Sequence, residues 1–192
     1  MSDAIDTRRV DDRFRTDQDG ITTFHSFSYG RHYDPENVGF GPVIAINEEL
    51  VPPGGGYDAH RHSDVTIFTL VLDGRLAHED TGGRSYVINA GELRSISAGA
   101  GIEHSERNAS QTEPLRFLQV MTREEPVDVQ VRLFGDGDAE SVVGPAVVHV
   151  TSGRLRVGGE LLNAGDEARL PAAGPYDVTA SGAAGALIVQ VR

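Results

Sequence analysis

The sequence predicts an all-β fold arranged as two small units in tandem, each a sandwich or barrel. Three observations predict it. Apolar residues come in short runs, many of them alternating with polar residues, and helix signals are scarce. Twenty-three glycines and nine prolines punctuate these runs. A strand–glycine–strand–Ala-Gly-acid order also occurs twice. Short strands at such spacing, bounded by turn residues, are the pattern of a sandwich or barrel.

Residues 1–20 are polar and are expected to form a tail or edge segment. Strands are expected at 43–46, 65–72, 85–88, 93–97 and 115–121. Breakers separate them: Pro52-Pro53-Gly54-Gly55-Gly56, Asp73-Gly74, Gly82-Gly83 and Ala90-Gly91. The first of these is rich in glycine but lacks the Gly-Lys-Ser/Thr ending and the helix of a phosphate loop. Residues 123–141 shift sharply in composition and mark a boundary between a unit of residues 1–122 and one of residues 123–192. Within that stretch Val127, Val129, Val131 and Leu133 alternate as a strand would.

Beyond the boundary come a strand at 146–150, a turn at Ser152-Gly153, a hairpin around Gly158-Gly159, and Leu161-Leu162 leading into Ala164-Gly165-Asp166. Val71-Leu72-Asp73-Gly74-Arg75-Leu76 parallels Val150-Thr151-Ser152-Gly153-Arg154-Leu155. Val87-Ile88-Asn89-Ala90-Gly91-Glu92 parallels Leu161-Leu162-Asn163-Ala164-Gly165-Asp166. An internal duplication explains both. The second copy has one histidine, His149, and is expected to be a structural partner.

Composition bounds the function. At 192 residues, 39% hydrophobic and 24% charged, the chain is ordinary for a soluble globular protein. Its net charge of -12 disfavours direct nucleic-acid binding and anionic membranes. There is no cysteine, which excludes disulfides, thiolate nucleophiles and iron–sulfur clusters. Without an apolar signal core or spanning segment, the expected placement is cytoplasmic.

The chemistry concentrates in His60-Arg61-His62 and His104-Ser105-Glu106. Residues i and i+2 of a strand point to one face. Two such pairs on neighbouring strands would aim three imidazoles and one carboxylate at a common point. That set suits a divalent transition metal and leaves a net charge of about +1 and two open positions on an octahedral ion. Such positions fit a bidentate enolate or catecholate together with dioxygen. Glu106 is the candidate base for a substrate hydroxyl. The same parity places Thr66 and Phe68 with His60 and His62, and Ile102 and Asn108 with His104 and Glu106. Phe117, Gln119 and Met121 share one face of their strand. These seven residues form the expected substrate pocket, suited to a flat aromatic ligand. His25, His32 and His78 are expected at supporting or surface positions.

The series Gly54-x5-His60-x-His62, Asp73-Gly74, Gly91 and Gly101-x2-His104-x3-Asn108 follows the two-part signature of the cupin superfamily. Asp58-Ala59-His60-Arg61-His62, the run from Ser97 to Glu106, His25-Ser26-Phe27-Ser28, Tyr33-Asp34-Pro35 and His78-Glu79-Asp80 closely resemble the pirin family of bicupins. The resemblance covers about residues 22–122. It implies tandem cupin (double-stranded β-helix, jelly-roll) barrels, the second abbreviated. It implies one divalent metal per chain held by His60, His62, His104 and Glu106, with Fe(II) ranked first and Mn, Ni, Co or Zn as alternatives. It further implies a quercetin 2,3-dioxygenase-like oxidoreductase acting on a flavonol or enediol with O2. Two alternatives stand beside it: a metal-binding regulator working through a protein partner, and a non-oxidative cupin isomerase. The sequence departs from the family pattern at Arg61, usually Pro, and at Thr66, usually Glu.

Overall fold

The computed structural model of the chain describes residues 4–123 and 126–192. Nearly all of the regular structure is strand, as the sequence predicts. No helix among the described residues is long and apolar enough to cross a membrane. The chain divides into two compact units, one of residues 14–123 and one of residues 4–13 with 126–192.

Strand β1 (Asp6–Arg8) belongs to the C-terminal unit. The N-terminal unit runs through β2 (Phe14–Gln18), β3 (Ile21–His25), β4 (Val43–Val51), β5 (Gly56–His62) and β6 (Val65–Asp73). It continues through β7 (Arg75–Asp80), β8 (Ser85–Asn89), β9 (Leu93–Ser97), β10 (Ile102–Asn108) and β11 (Leu115–Arg123). A six-stranded sheet has the order β2-β3-β4-β11-β6-β9, and a four-stranded sheet the order β5-β10-β7-β8. Ile21, Val51, Val71, Leu115 and Phe117 of the larger sheet pack in one buried cluster with Leu76 and Ile88 of the smaller. Each such side chain contributes roughly 1.5–3 kcal/mol on leaving water, so this cluster holds the two sheets face to face.

The smaller sheet carries the histidine pairs. In β10, His104 lies opposite His60 and Ile102 opposite His62; the register then slips, so that Glu106 lies opposite Tyr57. Three residues of β5 thus span two of β10. This bulge brings Tyr57 as well as His60 to the interior side, which strict alternation would forbid. Gly56 makes the close approach possible. Its φ is +150°, and a Cβ there would lie 2.4 Å from the Glu106 carbonyl oxygen.

The C-terminal unit comprises β12 (Val127–Phe134), β13 (Ala139–Ser152), β14 (Arg154–Val157), β15 (Glu160–Asn163), β16 (Glu167–Ala180) and β17 (Ala184–Val191). They form one sheet in the order β12-β17-β13-β16-β14-β15. The alternating valines of 127–131 lie in a full strand, paired along its length with β17. Residues 4–13 lie in this unit, not in the N-terminal unit where the expected boundary put them. β1 pairs with β16, Asp6 opposite Arg169 and Arg8 opposite Glu167. An unpaired sheet edge recruits a strand through its open backbone groups, whatever the distance in sequence.

His149 lies opposite Glu167 across β13 and β16. Both are buried, and the Arg169 guanidinium donates to Glu167 at 2.9 Å. Burial alone would raise the Glu167 carboxyl. The bonds and charges of His149 and Arg169 outweigh it and hold the group at about 2. A carboxyl depressed from 4.5 to about 2 stabilises the fold above pH 4.5 by roughly 3 kcal/mol, and this contribution is lost as pH falls toward 2. Denaturant unfolding of the C-terminal unit should therefore show a steep loss of stability between pH 5 and about pH 2.5. Glu167→Gln should flatten that slope; an unchanged slope would refute the assignment.

Candidate metal centre

One ring nitrogen from each of His60, His62 and His104 falls within 4.8 Å of the other two. Their ring centroids are 4.5–5.0 Å apart. His60 Nδ1 lies 2.8 Å from the Asp58 carbonyl oxygen. A carbonyl can only accept, so Nδ1 carries the proton and Nε2 keeps its lone pair for a cation. This is how a ligating histidine is normally oriented.

His104 is the most telling residue. It is 1% exposed, and neither ring nitrogen has a hydrogen-bond partner among the described residues. Leaving a buried polar group unpaired costs about 1–3 kcal/mol. Burial, then the nearby rings of His60, His62 and His78, push its pKa down to about 3, with Asp80 opposing. His62 is lowered too, by burial and then by His60. Near neutral pH these rings present lone pairs rather than charges. Neutral imidazoles gathered around a point, one of them without any hydrogen-bond partner, are the donor set of a divalent transition metal, so the residues fit such an ion.

Glu106 is 3% exposed, and both its oxygens accept from Gln119 Nε2, at 2.9 and 2.7 Å. Burial raises its carboxyl to about 7 against the pull of Gln119, with the charge of Glu49 adding to the rise. The four expected ligands do not share one tight cluster. Glu106 groups instead with His104 and His78, again within 4.8 Å, so two trios share His104.

Beside the three-histidine trio opens a cavity of about 470 Å³ whose lining includes His60, His62 and Glu106. Of the seven expected pocket residues, Gln119 and Met121 line it. Phe117 lies in the core cluster, Ile102 packs on Ile96 and Ala98, and Asn108 donates to the Pro52 and Glu113 carbonyls. Thr66 and Phe68 face the other side of their sheet. Asp64, at φ +59°, turns the chain between β5 and β6 and resets the alternation. Ile67 and Thr69 then pair with Met121 and Gln119, while Thr66 and Phe68 pair with Thr122 and Val120. The replacement of the family's usual Glu by Thr66 therefore lies away from the cavity.

Several lining residues escape sequence reasoning. Glu49 accepts from both Tyr57, at 2.6 Å, and Thr23. His25 bonds Asn47 through Nδ1 at 2.9 Å and Thr16 through Nε2 at 3.0 Å, with Tyr29 stacked on its ring. The available signal was Asn47-x-Glu49, a polar i,i+2 pair inside an apolar strand. His78-x-Asp80 on β7 is a third pair of this kind, and it is buried rather than superficial.

A three-histidine cluster on a two-sheet β-sandwich defines the class: a cupin-type barrel whose residues could hold a metal ion. The pirin family model matches residues 7–121, and the chain belongs to the pirin family. It is 43% identical over 120 residues to a Mycobacterium tuberculosis relative, covering 62% of this chain and 49% of that protein. It is 37% identical over 113 residues to the quercetin 2,3-dioxygenase of Escherichia coli K12, covering 59% of this chain and 49% of that one. The chain thus spans about half the length of these relatives. Among solved structures it is similar to Escherichia coli YhhW, with a TM-score of 0.94, 21% identity and 98% of each chain covered. It is also similar to the nickel(II) complex of that bacterial pirin, with a TM-score of 0.87, 23% identity, and 98% of this chain and 99% of that one covered. These likenesses show the fold.

A carboxyl raised from 4.5 to about 7 costs the metal-free fold roughly 3 kcal/mol at high pH. The penalty is absent below pH 4.5 and grows as pH rises through 7. Glu106→Gln in metal-free protein should therefore raise the midpoint of unfolding at pH 8 and leave it nearly unchanged at pH 4. A destabilised variant at pH 8 would contradict the assignment.

Proposed function

We propose that the N-terminal unit binds one divalent transition metal through His60, His62, His104 and Glu106 and catalyses dioxygen-dependent cleavage of a flavonol or related enediol. The observation that carries the reading is the buried, partnerless His104 set against His60 and His62 beside an open cavity. The relative named quercetin 2,3-dioxygenase supports the substrate class. Fe(II) is the first choice of ion, with Mn, Ni, Co or Zn as alternatives, because imidazole and carboxylate ligands alone do not select among them.

A redox-active ion in this site would supply a Lewis acid for the substrate hydroxyl and a path for electrons to dioxygen. The chain's own residues do the rest. His60 is held in its ligating tautomer by the Asp58 carbonyl. Glu106 lines the cavity and, as the carboxylate nearest the substrate hydroxyl, takes its proton. Gln119 holds that carboxylate in place through both oxygens. Tyr57, steadied by Glu49, offers its hydroxyl oxygen to ligand donors.

Charge discriminates among substrates. The lining includes Asp19, Glu49, Asp58 and Glu106 against a single basic residue, Arg31. Such a cavity repels carboxylates and phosphates and accepts neutral, hydroxyl-bearing molecules. This favours a polyphenol over the keto-acid substrates of the isomerase alternative.

Protein loaded with Fe(II) or Mn(II) should consume O2 on addition of quercetin. His62→Ala should reduce the rate by more than about 100-fold, since even residues that merely support metal ligands are worth 10–100-fold. Fully loaded protein that leaves O2 untouched with quercetin and with simpler enediols would overturn the dioxygenase reading.

A further inference from the structure

Three adjacent strands of the smaller sheet each carry an inward i,i+2 pair. β5 brings His60 and His62, β10 brings His104 and Glu106, and β7 brings His78 and Asp80. The register sets them side by side, with His78 opposite Glu106 and Asp80 opposite His104. The third pair is as buried as the second: His78 is 1% exposed and the Asp80 side chain 0%.

His78 has the preparation expected of a metal ligand. Its Nε2 lies 3.1 Å from Asp80 Oδ2, which also accepts from Arg84 Nε at 2.7 Å. The guanidinium keeps Asp80 a carboxylate, so Nε2 carries the proton and donates it. Nδ1 is left with a lone pair. A carboxylate that fixes the tautomer of an imidazole is the usual support behind a ligating histidine. Tyr86 stacks on the ring at 4.7 Å and locks its plane. The ring stands against His104, at 5.1 Å between centroids, and one ligand atom each of His78, His104 and Glu106 lies within 4.8 Å of the others.

We propose that His78, His104 and Glu106 form a second position for the divalent ion, deeper than the three-histidine position and sharing His104 with it. This rests on the reading of the N-terminal unit as metal-binding. His60 and His62 line the cavity, whereas His78 and His104 do not, so only Glu106 of the deeper trio reaches the cavity wall. Two dications about 5 Å apart would repel by more than about 10 kcal/mol even at an effective dielectric of 20. The single carboxylate among the ligands, Glu106, cannot offset that. The positions are therefore alternatives for a single ion, one deep and one at the cavity.

The test is crystallographic. Crystals of the whole chain loaded with Co(II) or Ni(II) should give two anomalous peaks at the metal edge, with occupancies adding to about one ion per chain. In His78→Gln the deep peak should vanish and the outer one remain, with affinity for the same ion lowered about tenfold in a chelator competition. Asp80→Asn, which keeps the imidazole but removes its carboxylate support, should shift occupancy outward in the same sense. A single wild-type peak ligated by His60, His62, His104 and Glu106, with His78 uncoordinated, would overturn the proposal and leave the proposed function standing. No bound ion at all would overturn both. The wild-type map decides the matter even if neither variant folds.

Discussion

The N-terminal unit depends on the placement of β10 between β5 and β7 in antiparallel register. That pairing sets three polar pairs on one interior surface of the smaller sheet, where Gln119 of the larger sheet meets Glu106. A slip of one residue would turn His104 and Glu106 to the outer side and exchange them for Ser105 and Arg107. The register is held by the core cluster between the sheets and by the bulge at Gly56, where only a hydrogen fits against the β10 backbone.

The same constraint explains why the site is costly to the fold. Ordinary cores pair or exclude their polar groups. Here a buried imidazole lacks a partner and a buried carboxyl is pushed toward neutrality. Local violations of this sort concentrate at functional sites. An ion entering the cluster would satisfy the imidazoles and favour the charged form of Glu106 at once. An ion bound there would then add to the unit's stability. The C-terminal unit shows the opposite solution. Its buried Glu167 is charged and stands between the Arg169 guanidinium, which donates to it at 2.9 Å, and His149, 3.8 Å away.

The strands were legible where alternation and turn residues coincide. β4, β6, β8, β9 and β11 are apolar runs bounded by glycine or proline, and the repeated Gly and Ala-Gly-acid order revealed the second unit. β5 and β10 were not legible as strands from hydropathy, because Gly-Tyr-Asp-Ala-His-Arg-His and Ile-Glu-His-Ser-Glu-Arg-Asn are polar throughout. Their His-x-His and His-x-Glu spacing marked them instead. The three-histidine cluster was legible, since the His-x-His and His-x-Glu spacings depend only on local parity. The cavity was not, since it depends on phase carried through a turn. Asp64 reset that phase and moved Thr66 and Phe68 to the far side. His78 was underread because a lone histidine beside two acids looks superficial until the register sets it against Glu106.

His104 belongs to both trios, so it is the residue on which any ion must rest. Calorimetric titration of metal-free protein with Ni(II), wild type against His104→Ala, tests this most directly. The account predicts one ion per wild-type chain and no saturable binding in the variant. Undiminished binding without His104 would contradict it.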